Sequence, residues 1–156
     1  MTDRSVNNAS FTIEHTYDAA PAKVFAACAS AEAKGQWFGA DDEATTDKLQ
    51  LDFSVGGREF FAAAVGGHNY KYEALYQDIL TDNRIVATYK MWLNDALMSV
   101  SVATTELHPE GAGTRLTYTE QGAFLDGLDQ PKDREHGTRE LLTKALATYL
   151  KGKVRV

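Results

Sequence analysis

From Leu49 to Gln121 the chain runs in strand-like alternation broken by glycine and asparagine turns, and it then ends in a single helix. Leu141, Leu142, Ala145, Leu146, Tyr149 and Leu150 recur at helical spacing over residues 131–150, with Arg139, Glu140, Thr143 and Lys144 mostly on the other side. Such a helix must bury its apolar stripe. After a run of antiparallel strands its one broad partner is the concave face of their sheet.

The rest of the chain supplies that sheet. Phe11, Ile13, His15 and Tyr17 alternate with Thr12, Glu14, Thr16 and Asp18, which predicts a half-buried strand. Pro21 then opens a short helix with Val24, Phe25 and Cys28 on its apolar side. A second short helix follows Ser30 and ends near Gly35, before Trp37 and Phe38. Asp41, Asp42 and Glu43 begin a polar loop, read as solvated because no calcium-loop spacing surrounds them. Strands are expected from Leu49 and over 58–65, 69–79, 84–92, 98–107 and 114–121, with turns at Gly56-Gly57, Gly66-Gly67, Asp82-Asn83, Asn94-Asp95 and 108–113. The predicted class is α+β: one strand, two short helices, a six-strand antiparallel meander and the long helix. Residues 1–9 are expected to be a loose tail and 10–156 one domain, as suits 156 residues.

Several classes of function are excluded. A net charge of −6 argues against nucleic-acid binding, which needs concentrated Lys and Arg. Cys28 is the sole cysteine, so no disulfide framework or cysteine-based zinc site is expected, and it reads as a buried structural thiol. No apolar stretch approaches the ~20 residues that span a bilayer, and the N-terminus lacks a signal peptide's apolar core. The cytoplasm is therefore the expected compartment. No nucleophile elbow, phosphate loop or dinucleotide fingerprint occurs, and the four histidines have no zinc-motif spacing. No cofactor, no metal and no catalytic residue are expected, and enzymatic activity stays open.

Particular residues carry a family resemblance. They are Asp18-Ala19-Ala20-Pro21 running into Val24-Phe25, Trp37-Phe38-Gly39, Asp52-Phe53-Ser54-Val55-Gly56-Gly57-Arg58, Gly113-Thr114-Arg115-Leu116 and His136-Gly137-Thr138. Together they resemble the START-like (SRPBCC) superfamily, in the branch related to the C-terminal domain of the heat-shock-ninety ATPase activator. The resemblance implies a helix-grip fold, a curved antiparallel sheet wrapped around the last helix, with an apolar cavity between them. Many relatives carry Gly-Trp where this chain has Gly137-Thr138, which removes bulk near the helix–sheet interface.

The residues suggest the same cavity. Tyr72, Tyr76, Tyr89, Met91, Met98, Val100, Leu116 and Tyr118 stand at alternating strand positions that can share the concave face, with Trp37 and Phe124 near its rim and Phe60 beside them. Aromatic and methionine side chains suit an adaptable small-molecule pocket, though such a stripe is also what a filled core would show. Inward tyrosines need hydroxyl partners, which suggests water or a polar ligand. Leu141 and Gly137 would face the sheet, Gly137 read as a point of close helix–sheet approach rather than as room for a ligand. His15 and Arg58 are the candidate polar contacts, with a salt bridge to Asp52 the plainer reading of Arg58. The leading expectation is binding of a small hydrophobic or aromatic molecule. The alternatives are a cyclase- or aromatase-like enzyme using His15, Tyr72 and Tyr118, and a module that contacts a chaperone. A homodimer through the sheet edge or the outer helix face is left open, and no membrane partner is expected.

Overall fold

The computed structural model describes residues 4–39 and 43–152. The elements run β1 (Val6–Tyr17), α1 (Pro21–Ala27), α2 (Ala31–Lys34), β2 (Thr45–Leu51), β3 (Arg58–Val65), β4 (His68–Leu80), β5 (Arg84–Leu93), β6 (Ala96–Glu110) and β7 (Gly113–Leu125). The chain closes with α3 (Pro131–Glu140), a π-helical segment at Leu141–Ala145 and α4 (Leu146–Leu150). All seven strands form one antiparallel sheet in the order β1-β7-β6-β5-β4-β3-β2. This is the helix-grip arrangement, with six strands as a meander and β1 added at the far edge. Asp41 and Asp42 lie outside the described residues, and Glu43 sits in a turn.

The tail is shorter than expected. Val6 to Ala9 pair with Leu125 to Gly122, so β1 begins at Val6. Val6 is 62% exposed and is followed by two asparagines, so backbone pairing holds this stretch and no apolar pattern announces it.

Long strands bend here at irregularities. Register shifts occur on β4 between Tyr76 and Asp78, and between β5 and β6 where Met91 pairs with Ser99 but Trp92 with Leu97. An extra residue in one strand increases local twist and bends it. The sheet thereby curls toward the helices, and Ile13, Tyr17, Leu107 and Leu116 of its inner face form one core with Val24 and Phe25 of α1.

The C-terminal helix meets this core unevenly. Leu142, Leu146 and Leu150 are buried in it, four residues apart. In α3 the one buried residue is Arg134. The lower half of the helix therefore packs, while α3 stands off the sheet. The π-helical turn falls at the change between the two, and Tyr17 Oη donates to the Leu142 carbonyl there at 2.6 Å. Such turns widen a helix locally and recur at functional sites.

Gly137 does not mark a close approach. A Cβ built on it meets nothing within 4 Å. The cost of glycine inside a helix is consequently not offset by packing. Gly137→Ala is expected to raise stability by about 1 kcal/mol, measured by urea denaturation. A loss of stability would show that the helix sits closer to the sheet than described.

Candidate functional site

The gap beneath α3 is a cavity of about 400 Å³. Its floor is the concave face of the sheet and its roof is the stretch from Arg134 to Leu142. Ala87 and Ala103 lie directly opposite each other on β5 and β6, and these two small side chains keep the floor low. Tyr72, Tyr76, Tyr89, Met91, Leu116 and Tyr118 all line it, as do Trp37, Gly137 and Leu141. Thr138 is there too. The rings form a continuous wall: Tyr72 lies 5.2 Å from Tyr89 and 5.3 Å from Phe38, centroid to centroid.

Other expected residues lie elsewhere. Phe60 is not in the lining; its neighbour Phe61 is, because Phe61 pairs with inward-facing Tyr72 and side chains alternate across a strand. Val100 is 38% exposed on the outer face. The register shift at Met91 and Trp92 sets Ser99 and Ser101 inward instead, opposite Met91 and Tyr89. Met98 is buried outside the cavity. Phe124 is buried as well, under the Arg134 guanidinium, which lies 5.1 Å from its ring centroid. His15 packs edge-on against Tyr17 at 4.9 Å and does not reach the cavity. Arg58 pairs with Glu73 at 3.4 Å rather than with Asp52, whose backbone N–H donates to the Arg58 carbonyl.

Three charged residues that the sequence reading passed over give the site its polarity. Glu120 is fully buried on β7. Its Oε2 accepts from Tyr89 Oη at 2.6 Å and Ser101 Oγ at 2.8 Å, and its Oε1 from Tyr118 Oη at 2.7 Å. Arg134 completes the cluster from α3: it donates to Tyr89 Oη at 2.9 Å and Ser99 Oγ at 2.8 Å, and it pairs with Asp129 at 3.0 Å and Glu120 at 3.4 Å. Desolvation pulls this guanidinium down, but Tyr89, Glu120 and Asp129 together hold it above its ordinary value. The Tyr89 and Tyr118 hydroxyls therefore have protein partners, not only water or a ligand.

A second carboxylate stands at the other end. Glu59 on β3 is 1% exposed, and its Oε1 accepts from Tyr76 Oη at 2.5 Å and from Lys34 Nζ at 2.9 Å. Lys34 comes from α2 and also lies 4.4 Å from the Phe38 ring centroid, so it joins the short helix to the sheet. Glu59 Oε2 is buried without a hydrogen-bond partner among the described residues.

Burial sets the protonation of the lining groups. Desolvation raises Tyr72, Tyr76, Tyr89 and Tyr118 well above the ordinary phenol value, with Glu59 adding at Tyr76 and Tyr72 and Glu120 at Tyr118 and Tyr89. Tyr72 and Tyr118 are therefore neutral donors at neutral pH and not phenolate bases. Burial also pushes the Cys28 thiol up to about 11, which leaves it a poor nucleophile.

Known proteins place this geometry in a family. The family model described as Activator of Hsp90 ATPase homolog 1-like protein matches residues 18–151. The crystal structure of Mll3558 from Rhizobium loti is 46% identical, covers 92% of this chain and 98% of its own, and superposes with a TM-score of 0.84. A putative uncharacterized protein from Rhizobium leguminosarum is 36% identical over 97% of this chain and all of its own, with a TM-score of 0.90. At 18% identity, the AHSA1-like protein from Aeromonas hydrophila shares the fold, with a TM-score of 0.66 over 92% of this chain and 93% of its own. No curated protein matches the sequence. A family model spanning most of the chain, together with relatives at these identities, makes this protein a member of the Activator of Hsp90 ATPase homolog 1-like family.

Proposed function

We propose that the protein binds a small hydrophobic or aromatic molecule in the cavity between α3 and the sheet. The observation that carries this reading is the cavity itself, about 400 Å³ and walled mainly by aromatic and aliphatic side chains. Sites for small molecules are mostly apolar, hold a few convergent polar groups and measure roughly 300–1,000 Å³. A helix that packs through Leu142, Leu146 and Leu150 but lifts away at Arg134 builds such a space from the backbone up.

Titration with N-phenyl-1-naphthylamine, a neutral fluorophore whose emission rises in apolar surroundings, tests the proposal. Saturable one-to-one binding is expected, with quenching of Trp37, which stands in the wall. Emission that never rises above buffer would overturn it.

A further inference from the structure

Within that cavity the polar groups are not equivalent. Each of the three tyrosine hydroxyls on Tyr76, Tyr89 and Tyr118 already donates to a carboxylate. Tyr72 is different. It lines the cavity and its hydroxyl makes no hydrogen bond among the described residues, although the Glu59 charge acts on it. Glu59 is the matching half, because both of its hydrogen bonds fall on Oε1 and leave Oε2 unused. A buried polar atom without a partner is costly, and native structures leave few of them. Glu59 stands opposite Ala74 and Tyr72 opposite Phe61, so the two are diagonal neighbours on the inward face of β3 and β4, a donor and an acceptor that have no hydrogen-bond partner among the described residues.

The charges around the cavity define the complement further. Lys34 and Arg134 are its cations, whereas Glu59, Asp129 and Asp133 line it and Glu120 lies directly behind Tyr89 and Tyr118. Both cations are already engaged, Lys34 with Glu59 and Arg134 with Glu120 and Asp129. A ligand carboxylate would find no unpaired cation among the described lining residues and would be desolvated beside like charge.

Resting on the cavity reading above, we infer that the site selects an aromatic molecule bearing an uncharged hydroxyl group, which accepts from Tyr72 and donates to Glu59. A hydroxyl group can do both at once. An ether can only accept, and a carboxylate brings the wrong charge.

Three probes with one ring system separate these cases. The binding of 2-naphthol, 2-methoxynaphthalene and 2-naphthoate is measured at pH 7 by displacement of N-phenyl-1-naphthylamine. The wild-type chain is expected to bind 2-naphthol at least about tenfold more tightly than either of the others. In Glu59→Gln, which keeps the side chain's size, the advantage of naphthol over its methyl ether is expected to fall to about threefold or less. Tyr72→Phe, which removes the donor that both oxygens accept from, is expected to weaken naphthol and its ether alike and serves should the Glu59 variant fail to fold; unchanged affinity for both would count against the inference. Equal affinity for naphthol and its ether, or tightest binding of naphthoate, would overturn the inference and leave the cavity reading standing. Naphthol failing to displace a bound fluorophore would do the same. Failure of the fluorophore itself to bind would remove both.

Discussion

Glu120→Ala is expected to lower the stability of the folded chain by about 3–5 kcal/mol, the usual consequence of removing one partner from a buried ion pair. Glu120 is 0% exposed and is the shared acceptor for Tyr89, Tyr118 and Ser101. Without it three hydroxyls lose their acceptor, and among the described residues Arg134 keeps only Asp129 as an ion-pair partner. For a chain of this length the loss corresponds to a fall in Tm of roughly 10 °C or more. Glu120→Gln keeps an acceptor oxygen and the volume, so a smaller loss is expected. The comparison is made by thermal and urea unfolding followed by circular dichroism. A loss under about 1 kcal/mol for the alanine variant would mean that the cluster does not hold α3 over the sheet.

The second large effect is alkaline. Tyr17, Tyr72, Tyr76, Tyr89 and Tyr118, five of the seven tyrosines, are all raised above the ordinary value of 10, with desolvation the first cause in each. Above pH 10 the unfolded chain loses these protons and the folded chain keeps them. Their contribution is therefore complete below pH 10 and is lost as pH rises toward the folded values. Each group contributes a slope of about 1.4 kcal/mol per pH unit, so five acting together approach roughly 7 kcal/mol per pH unit. Stability is expected to hold to about pH 9–10 and then to collapse within about two units. Tyrosinate absorbance and far-ultraviolet circular dichroism, followed together, check this: most of the phenolate signal should appear with unfolding. Five phenols titrating near their ordinary value in a still-folded chain would contradict the burial described.

How far the sequence led depends on what each signal measures. Period-two alternation and glycine turns located β3 to β7 to within a few residues, and helical spacing located the final helix, because both record a buried face directly. They carried no information where backbone pairing alone holds the chain, as at Val6 to Ala9. Parity failed at irregularities. The adjacent Phe60 and Phe61 cannot both point inward, and only the pairing of Phe61 with Tyr72 decides between them. Val100 was expected inward because alternation was carried through the register shift beside Met98. The polar half of the site was missed for a different reason. Glu59 stands two residues before Phe61 and Glu120 two after Tyr118, so each shares a strand face with a lining aromatic. That spacing was a readable sign, but charged residues are ordinarily assigned to solvent. Arg134 lies in a polar stretch of helix, where nothing in the sequence separates the buried arginine from Lys132 and Arg139.

The central claim is that the space under α3 receives a small apolar molecule. Ala103 points into that space from the middle of β6, opposite Ala87, so Ala103→Phe places a ring inside it without altering the rim. N-phenyl-1-naphthylamine titrated into the wild-type chain and this variant, both with native circular dichroism, is the most direct measurement. Saturable binding to the wild type and its loss by about a hundredfold or more in the variant is the expected result, since overpacking leaves no room for the ring system. Equal binding to both chains would place the fluorophore elsewhere and contradict the account.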